Sequence, residues 1–179
     1  MTRTVYYTAT TLDGFLADEH DSLDWLLSQD IDEHGAMNYE DFYTGIGALA
    51  MGATTYEWVR EHLASTGESW AYDVASWVFT HRDLPAIGER ITFTSESVEE
   101  VHAAMASAAG EKDLWIVGGG DLAGQFADRG LLDEVVVSIA PVTLGAGRPL
   151  LPRALDLRLV EHARNRAFLC ARYEVVGPR

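Results

Sequence analysis

The sequence has a single cysteine, Cys170, among its 179 residues. A lone thiol excludes an internal disulfide, and disulfides are typical of oxidising compartments. The first fifteen residues also lack the apolar stretch of a secretory signal. We therefore expect a protein of the reducing cytoplasm.

Basic residues are scarce: 13 Lys and Arg stand against 28 Asp and Glu, which gives a formal net charge of −15. This balance excludes nucleic acid and anionic membrane as main partners, because both require basic patches. The sequence also lacks a run of about 18 apolar residues, so no transmembrane helix is predicted. A small anionic ligand remains compatible with the charge, because a few local hydrogen-bond donors suffice to hold a phosphate.

Strand and helix patterns alternate along the chain, and 47% of its residues are hydrophobic. Strands are predicted at Thr4–Thr11 and at residues 47–52, 76–82, 90–95, 113–118 and 133–142, and residues 155–176 form two more around a turn near Asn165. Helices are predicted at residues 35–46, 53–64, 97–110 and 121–130, and residues 12–26 are predicted as a loop. In the third helix, Ser97 and Glu100 have capping-box spacing and Gly110 is a stop signal. The pattern predicts one α/β domain over residues 1–179, with a mostly parallel central sheet flanked by helices and a C-terminal antiparallel strand pair.

Three glycines, Gly118, Gly119 and Gly120, stand where strand 113–118 meets helix 121–130. A helix N-terminus carries free N–H groups and a partial positive charge, and glycines let a phosphate approach that backbone. The letters GGGDLA also fit the dinucleotide fingerprint G-x-G-x-x-A, but that fingerprint opens a run of βαβ units, and only about 60 residues follow here. The alternative interpretation is a tight turn whose glycines serve packing.

A second strand, glycine and helix sequence places Gly52 before Thr54 and Thr55, whose hydroxyls suit either an anion or an ordinary N-cap. A third strand end carries Thr80, His81 and Arg82. The guanidinium of Arg82 suits a phosphate, although a solvated loop charge is an equal alternative. Because parallel strands of one sheet end at the same edge, we expect these groups to meet at one site.

The motifs TTLDGFLAD, MGATTYE, WIVGGGDLAGQF and GLLDEVVVSIAPVTLGAGRPLL occur in this order along nearly the whole chain. Together they resemble the dihydrofolate-reductase-like superfamily, and within it the reductase domain of the riboflavin-biosynthesis deaminase–reductase and its stand-alone bacterial relatives. The resemblance implies a dihydrofolate-reductase-like fold, NADPH as cofactor, a homodimer, and reduction of a small planar nitrogen heterocycle. The activity that it implies is similar to that of 5-amino-6-(5-phosphoribosylamino)uracil reductase.

The resemblance also implies roles for particular residues. The cofactor pyrophosphate would lie against Gly118–Gly120 and the backbone of Asp121 and Leu122. Gly52 and Thr55 match the glycine and threonine of the family's GRxTYE motif, with Thr54 between them and Ala53 in place of the arginine. Thr80, His81 and Arg82 would lie at the adenosine end, where Arg82 would take over part of the phosphate contact. Gly118 stands where riboflavin-pathway reductases commonly have Glu, and the deaminase zinc motif is absent.

Asp13, in the Asp–Gly of the first loop, is the predicted catalytic residue, since the resemblance places this loop beside the nicotinamide and the substrate. A carboxylic acid there would orient or protonate a polar substrate, whereas the alternative is a plain turn. Trp25, Tyr39 and Phe42 are predicted as an aromatic wall for the substrate, with a place in the core as the alternative.

Two other functions remain open. A pterin or dihydrofolate reductase would need a carboxylate facing the site from helix 35–46, where Glu40 and Asp41 are available. An NADP-binding module without turnover would bind the cofactor but lack a catalytic acid and a substrate pocket. We expect no metal, because the calcium-like stretch at residues 30–41 has His34 at an oxygen-ligand position and Asp41 at the position of the usual Glu.

Overall fold

A computed structural model describes residues 1–179. Its strands are Thr4–Thr11 (β1), Phe15–Ala17 (β2), Ile46–Gly52 (β3), Ala75–Phe79 (β4), Ile91–Thr94 (β5), Asp113–Gly118 (β6), Glu134–Ala140 (β7), Arg148–Pro149 (β8), Leu155–Asn165 (β9) and Phe168–Pro178 (β10). Its helices are Asp24–Leu27 (α1), Tyr39–Thr44 (α2), Ala53–Thr66 (α3), Val98–Ala109 (α4) and Gly120–Asp128 (α5). None of these helices has the length and apolar character needed to cross a bilayer.

Eight strands form one sheet in the order β5-β4-β3-β6-β1-β7-β10-β9. The first six run parallel to one another, so their carboxyl ends lie at the same edge of the sheet. β10 is antiparallel to both β7 and β9, and a two-residue turn joins it to β9. This confirms the predicted fold class, a mostly parallel sheet with a C-terminal antiparallel pair.

The local signals of α4 act as predicted. The Ser97 side chain accepts a hydrogen bond from the Glu100 N–H, the Glu100 side chain accepts from the Ser97 N–H, and Gly110 ends the helix. The helix predicted at residues 35–46 is shorter, because Asn38 caps it and only Tyr39–Thr44 is helical. The loop predicted at residues 12–26 contains β2 and all but the last residue of the single-turn helix α1, and the sequence pattern indicated neither element.

Hydrophobic cores cover both faces of the sheet. On one face α4 and α5 pack against the strands, and the side chains of Tyr6, Ile116 and Phe126 are completely buried. On the other face Leu49, Met51 and Tyr56 form a second buried cluster. Complete burial of a large apolar side chain stabilises the fold by roughly 1.5–3 kcal/mol, so these clusters hold the parallel strands in fixed register. The carboxyl ends of these strands therefore form a rigid edge of the sheet.

Candidate active site at the carboxyl edge of the sheet

A cavity of about 580 Å³ opens at the carboxyl ends of β4, β3, β6 and β1. One end, which we call the glycine end, is lined by the β3–α3 and β6–α5 junctions together with Phe79 and Trp58. The other end, which we call the β1 end, is lined by Thr8 and Ala9 of β1 and by the two segments that carry β2 and β8. The two ends adjoin at Gly120, which packs against the backbone of Pro149 and Leu150. The cavity thus lies where open α/β sheets bind ligands.

Bare backbone faces the cavity at the β6–α5 junction. Gly119 is the N-cap of α5 and has no side-chain cap, so the first N–H groups of the helix are left for another acceptor. A Cβ built on Gly119 would meet no atom within 4 Å, which means that this position opens into free space. Gly118 has φ of +154°, and a Cβ on Gly120 would overlap the carbonyl oxygens of Pro149 and Leu150. Two of the three glycines are therefore required by the fold, and Gly119 is not.

The second junction lies directly beside the first. Gly52 is the N-cap of α3, again without a side-chain cap, and a Cβ on Gly52 would be 3.8 Å from the Gly119 nitrogen. The Thr55 hydroxyl oxygen would be 3.4 Å from a Cβ on Gly118. The structure thus brings together a large part of the predicted cofactor site: Gly52, Thr54, Thr55, Gly118, Gly119, Gly120, Asp121 and Leu122 all line the cavity.

The electrostatics of the glycine end come from backbone rather than from basic side chains. Asp121 is in the first turn of α5, and hydrogen bonds from Gln125 and then Arg153 lower the pKa of its carboxyl. Arg148, carried by β8, is the only Lys or Arg among the cavity-lining residues. The positive potential is that of two adjacent helix N-termini, which suits the small negative charge of each phosphate in a pyrophosphate.

Thr80, His81 and Arg82 follow Phe79 at the same edge but do not line the cavity. The Arg82 guanidinium donates to both carboxylate oxygens of Glu57 on α3, at 3.1 and 2.8 Å. This pairing raises the pKa of Arg82 and lowers the pKa of Glu57. A phosphate role for Arg82 stays a prediction, and in the structure the side chain already has an anionic partner.

The β1 end is mainly apolar and was not anticipated from the sequence. Leu16, Ala17, Leu23 and Leu26 line it, and the ion pair between Asp21 and Arg148 lies among them. Antiparallel pairing of β2 with β8 sets Ala17 opposite Arg148 and joins the two segments. A weak signal was available, because an arginine in a Gly- and Pro-rich stretch is conspicuous in a chain with so few cations.

Asp13 is exposed and does not line the cavity. Its carboxylate accepts hydrogen bonds from the Thr11 hydroxyl at 2.6 Å and from the N–H groups of Gly145 at 2.7 Å and Leu144 at 3.1 Å. These bonds, the Thr11 one foremost, lower the pKa of the carboxyl. The contacts are those of a residue that ties the first loop to the segment before β8, and the predicted catalytic role of Asp13 remains a prediction.

The predicted aromatic wall is not assembled. Trp25 is buried against Ala140 and Phe168, and its indole N–H donates to the Leu16 carbonyl. Tyr39 and Phe42 belong to a separate aromatic cluster around Trp115. None of the three predicted side chains lines the cavity, whose aromatic residues are Trp58 and Phe79. A substrate-binding role for Trp25, Tyr39 and Phe42 stays untested.

Glu40 and Asp41, the carboxylates considered for a pterin, also lie outside the cavity. Glu40 is exposed and 3.5 Å from the His34 imidazole, while the Asp41 carboxylate accepts from the Asn38 side chain. Helix α2 therefore contributes no acidic group to the site.

Comparison with known proteins agrees with this architecture. YwjB of Bacillus subtilis (strain 168), an uncharacterised protein, is 33% identical over 149 residues, which is 83% of this chain and 82% of YwjB. A candidate riboflavin biosynthesis protein from Shewanella sp. PV-4 has a similar structure, with a TM-score of 0.80, 23% identity, and coverage of 97% of this chain and 98% of that one.

The Thermotoga maritima diaminohydroxyphosphoribosylaminopyrimidine deaminase/5-amino-6-(5-phosphoribosylamino)uracil reductase has a TM-score of 0.67 and 15% identity, covering 97% of this chain and 56% of that one. The two structures share the fold that the sequence motifs predicted. The family model of the RibD C-terminal domain matches residues 60–168. The chain therefore belongs to the RibD C-terminal domain family.

Proposed function

We propose that this chain is an NADPH-dependent reductase of a small planar nitrogen heterocycle. The observation that carries the proposal is a pair of helices, α3 and α5, whose N-cap is a glycine without a side-chain cap. Both helix N-termini face one cavity whose other end is apolar. The RibD C-terminal domain family and the reductase named for the Thermotoga relative support the reaction class.

The glycine end fits a dinucleotide. An open position at Gly119 lets a phosphate reach the backbone, and the first N–H groups of α5 and α3 would donate to the pyrophosphate. When bound, the nicotinamide cofactor supplies a hydride. The chain itself would hold the flat substrate ring in the β1 end, where Leu16, Leu23 and Leu26 exclude water from the reacting face.

Asp13 fits an orienting role better than a proton-donating one. A carboxyl with a lowered pKa is ionised at neutral pH and has no proton to give. Its three hydrogen bonds fix the segment that leads to Arg148, so we assign Asp13 to positioning of the β1 end.

The two other functions make different demands on the site. A dihydrofolate reductase needs a carboxylate that contacts the pterin, and neither Glu40 nor Asp41 lines the cavity. A module that binds NADP without turnover would have no use for a second, apolar end.

A substrate screen tests the proposal. The protein is mixed with NADPH and, in turn, with 5-amino-6-(5-phosphoribosylamino)uracil, its dephosphorylated form and dihydrofolate, and the loss of nicotinamide absorbance is followed. We expect turnover of an aminouracil and none of dihydrofolate. NADPH binding without turnover of any planar heterocycle would favour the binding module, and no NADPH binding would refute the proposal.

The apolar side chains left exposed on the C-terminal strand pair support a homodimer. Leu157, Leu159 and Val160 of the edge strand β9 are 41%, 52% and 49% exposed, and Leu169 and Val176 of β10 are 52% and 65% exposed. Apolar groups concentrated on an edge of a sheet mark an interaction surface. We propose that two copies pair through β9 and β10.

A further inference from the structure

Among all the residues that line the cavity, Arg148 is the only basic one. Its Nε donates to one carboxylate oxygen of Asp21 at 2.6 Å, and its Nη2 donates to the other at 3.0 Å. A bidentate pair of this kind is the strong, planar arrangement in which a guanidinium would otherwise hold a phosphate. Asp21 thus occupies the only guanidinium with which the cavity could bind an anion.

Further carboxylates surround the same guanidinium. Asp18 and Glu19 both raise the pKa of Arg148 through their charge, after the larger effect of Asp21. The Asp18 carboxylate is fixed by the N–H groups of His20 and Ser22, at 2.8 and 2.9 Å. Asp21 neutralises the guanidinium, and the charges of Asp18 and Glu19 act in the same direction, so Arg148 presents no net positive charge to attract a phosphate dianion.

The backbone holds this arrangement in place. β2 and β8 pair so that Ala17 lies opposite Arg148, and Gly147 is so close to Ala17 that a Cβ on it would overlap the Ala17 carbonyl oxygen. The Leu150 N–H, just after β8, donates to the Gly14 carbonyl, just before β2, at 2.9 Å. The ion pair therefore joins two fixed segments rather than two mobile loops.

We propose that Asp21, by holding Arg148, makes the β1 end selective for planar heterocycles without a phosphate group. The inference rests on the proposed function, since it takes the β1 end as the place of the substrate. It distinguishes this chain from the Thermotoga relative, whose name specifies a phosphoribosyl substrate. The substrate class is a neutral aminated pyrimidine or similar ring, and Asp21 is the specificity-determining residue.

The test compares one ligand with and without its phosphate. One preparation of 5-amino-6-(5-phosphoribosylamino)uracil is divided into two portions, and one portion is treated with phosphatase. Each form is titrated into the protein by calorimetry with saturating NADP⁺, which keeps phosphates away from the glycine end. We expect the wild type to bind the dephosphorylated form at least about 10-fold more tightly, because the phosphate would lie beside carboxylates and find no free guanidinium.

Three variants identify the cause. Asp21→Asn frees Arg148, so it should tighten the phosphorylated form about 10-fold and leave the other form nearly unchanged. Asp21→Asn combined with Arg148→Ala should lose this gain. Asp24→Asn removes the same charge from an exposed position of α1 that does not line the cavity, and it should change neither affinity.

A wild type that binds the phosphorylated form equally well or better would overturn the inference, and this comparison does not depend on any variant folding. It would also be overturned if neither form binds, or if Asp24→Asn matches Asp21→Asn. Failure of the proposed function is read separately, by titrating NADPH and following its fluorescence. If NADPH does not bind, the same two titrations without NADP⁺ still give the phosphate preference.

Discussion

Replacement of Gly119 by valine should abolish most of the NADPH affinity and leave the fold intact. Gly119 has φ of −85° and ψ of −174°, an extended conformation that valine adopts readily. A Cβ at this position meets no atom within 4 Å, so the new side chain points into open space in the cavity and not into the core. The change therefore removes ligand space without disturbing packing.

The magnitude follows from the contacts that would be blocked. A branched side chain at the N-cap holds a phosphate away from the first N–H groups of α5, and one charge-assisted hydrogen bond contributes about 1.5–3 kcal/mol. Loss of one such bond weakens binding roughly 10- to 100-fold, and loss of two weakens it more. Gly119→Ala has a shorter side chain and should show a smaller loss in the same direction.

The assay is a fluorescence titration with NADPH, paired with a thermal unfolding curve for each variant. Gly45→Val is the matched control, because Gly45 also has a negative φ, a Cβ there makes only an ordinary contact, and it lies outside the cavity. It should bind NADPH like the wild type. A folded Gly119→Val protein with undiminished affinity would refute the assignment of the glycine end to the cofactor.

The other predictions concern the neighbours of that site. Gly120→Ala should lower the free energy of unfolding by about 1–3 kcal/mol through overpacking, and an unchanged urea midpoint would contradict this. Arg82→Ala should weaken the binding of NADPH about 10- to 100-fold more than the binding of NADH. Glu57→Gln frees the Arg82 guanidinium and should strengthen the binding of NADPH more than that of NADH. Equal effects on both cofactors would show that Arg82 does not contact the phosphate. Asp13→Asn should raise the substrate KM with little change in kcat, because an amide cannot accept all three hydrogen bonds, whereas a fall in kcat of about 10²-fold would establish the catalytic role predicted from the sequence. Leu159→Glu should convert a dimer to a monomer in light scattering, and a wild type that is already monomeric would exclude the proposed interface.

The pH dependence of the Asp13 contacts has a definite sign. Because its pKa is lowered in the folded chain, the hydrogen bonds stabilise the fold above the ordinary pKa of 3.8. That contribution is lost as the pH falls through the lower folded value. The difference in the free energy of unfolding between wild type and Asp13→Asn should therefore be smaller at acidic pH than at pH 7.

Local chemistry made some features predictable from the sequence. The capping box at Ser97 and the stop at Gly110 act between residues of one helix, so the spacing alone indicates them. The two helix starts at Gly52 and Gly119 were predictable for the same reason, because each is a local strand, glycine and helix pattern. The parallel sheet then places Gly52 and Gly119 side by side.

Other features depend on contacts between distant parts of the chain. Asp21 and Arg148 are 127 residues apart, and only the pairing of β2 with β8 makes them partners. Trp25 looked like a candidate for the substrate, but the sheet places it against β10, in the core. A sequence pattern gives the residue type and the local element, but it does not show which face of the sheet a loop aromatic will contact.

The most direct measurement is a crystal structure of the protein with NADP⁺. We expect a pyrophosphate on the N–H groups at the start of α5, beside Gly52, with the nicotinamide ring directed toward Thr8 and Ala9. A dinucleotide bound away from Gly119, or a nicotinamide directed away from β1, would contradict it.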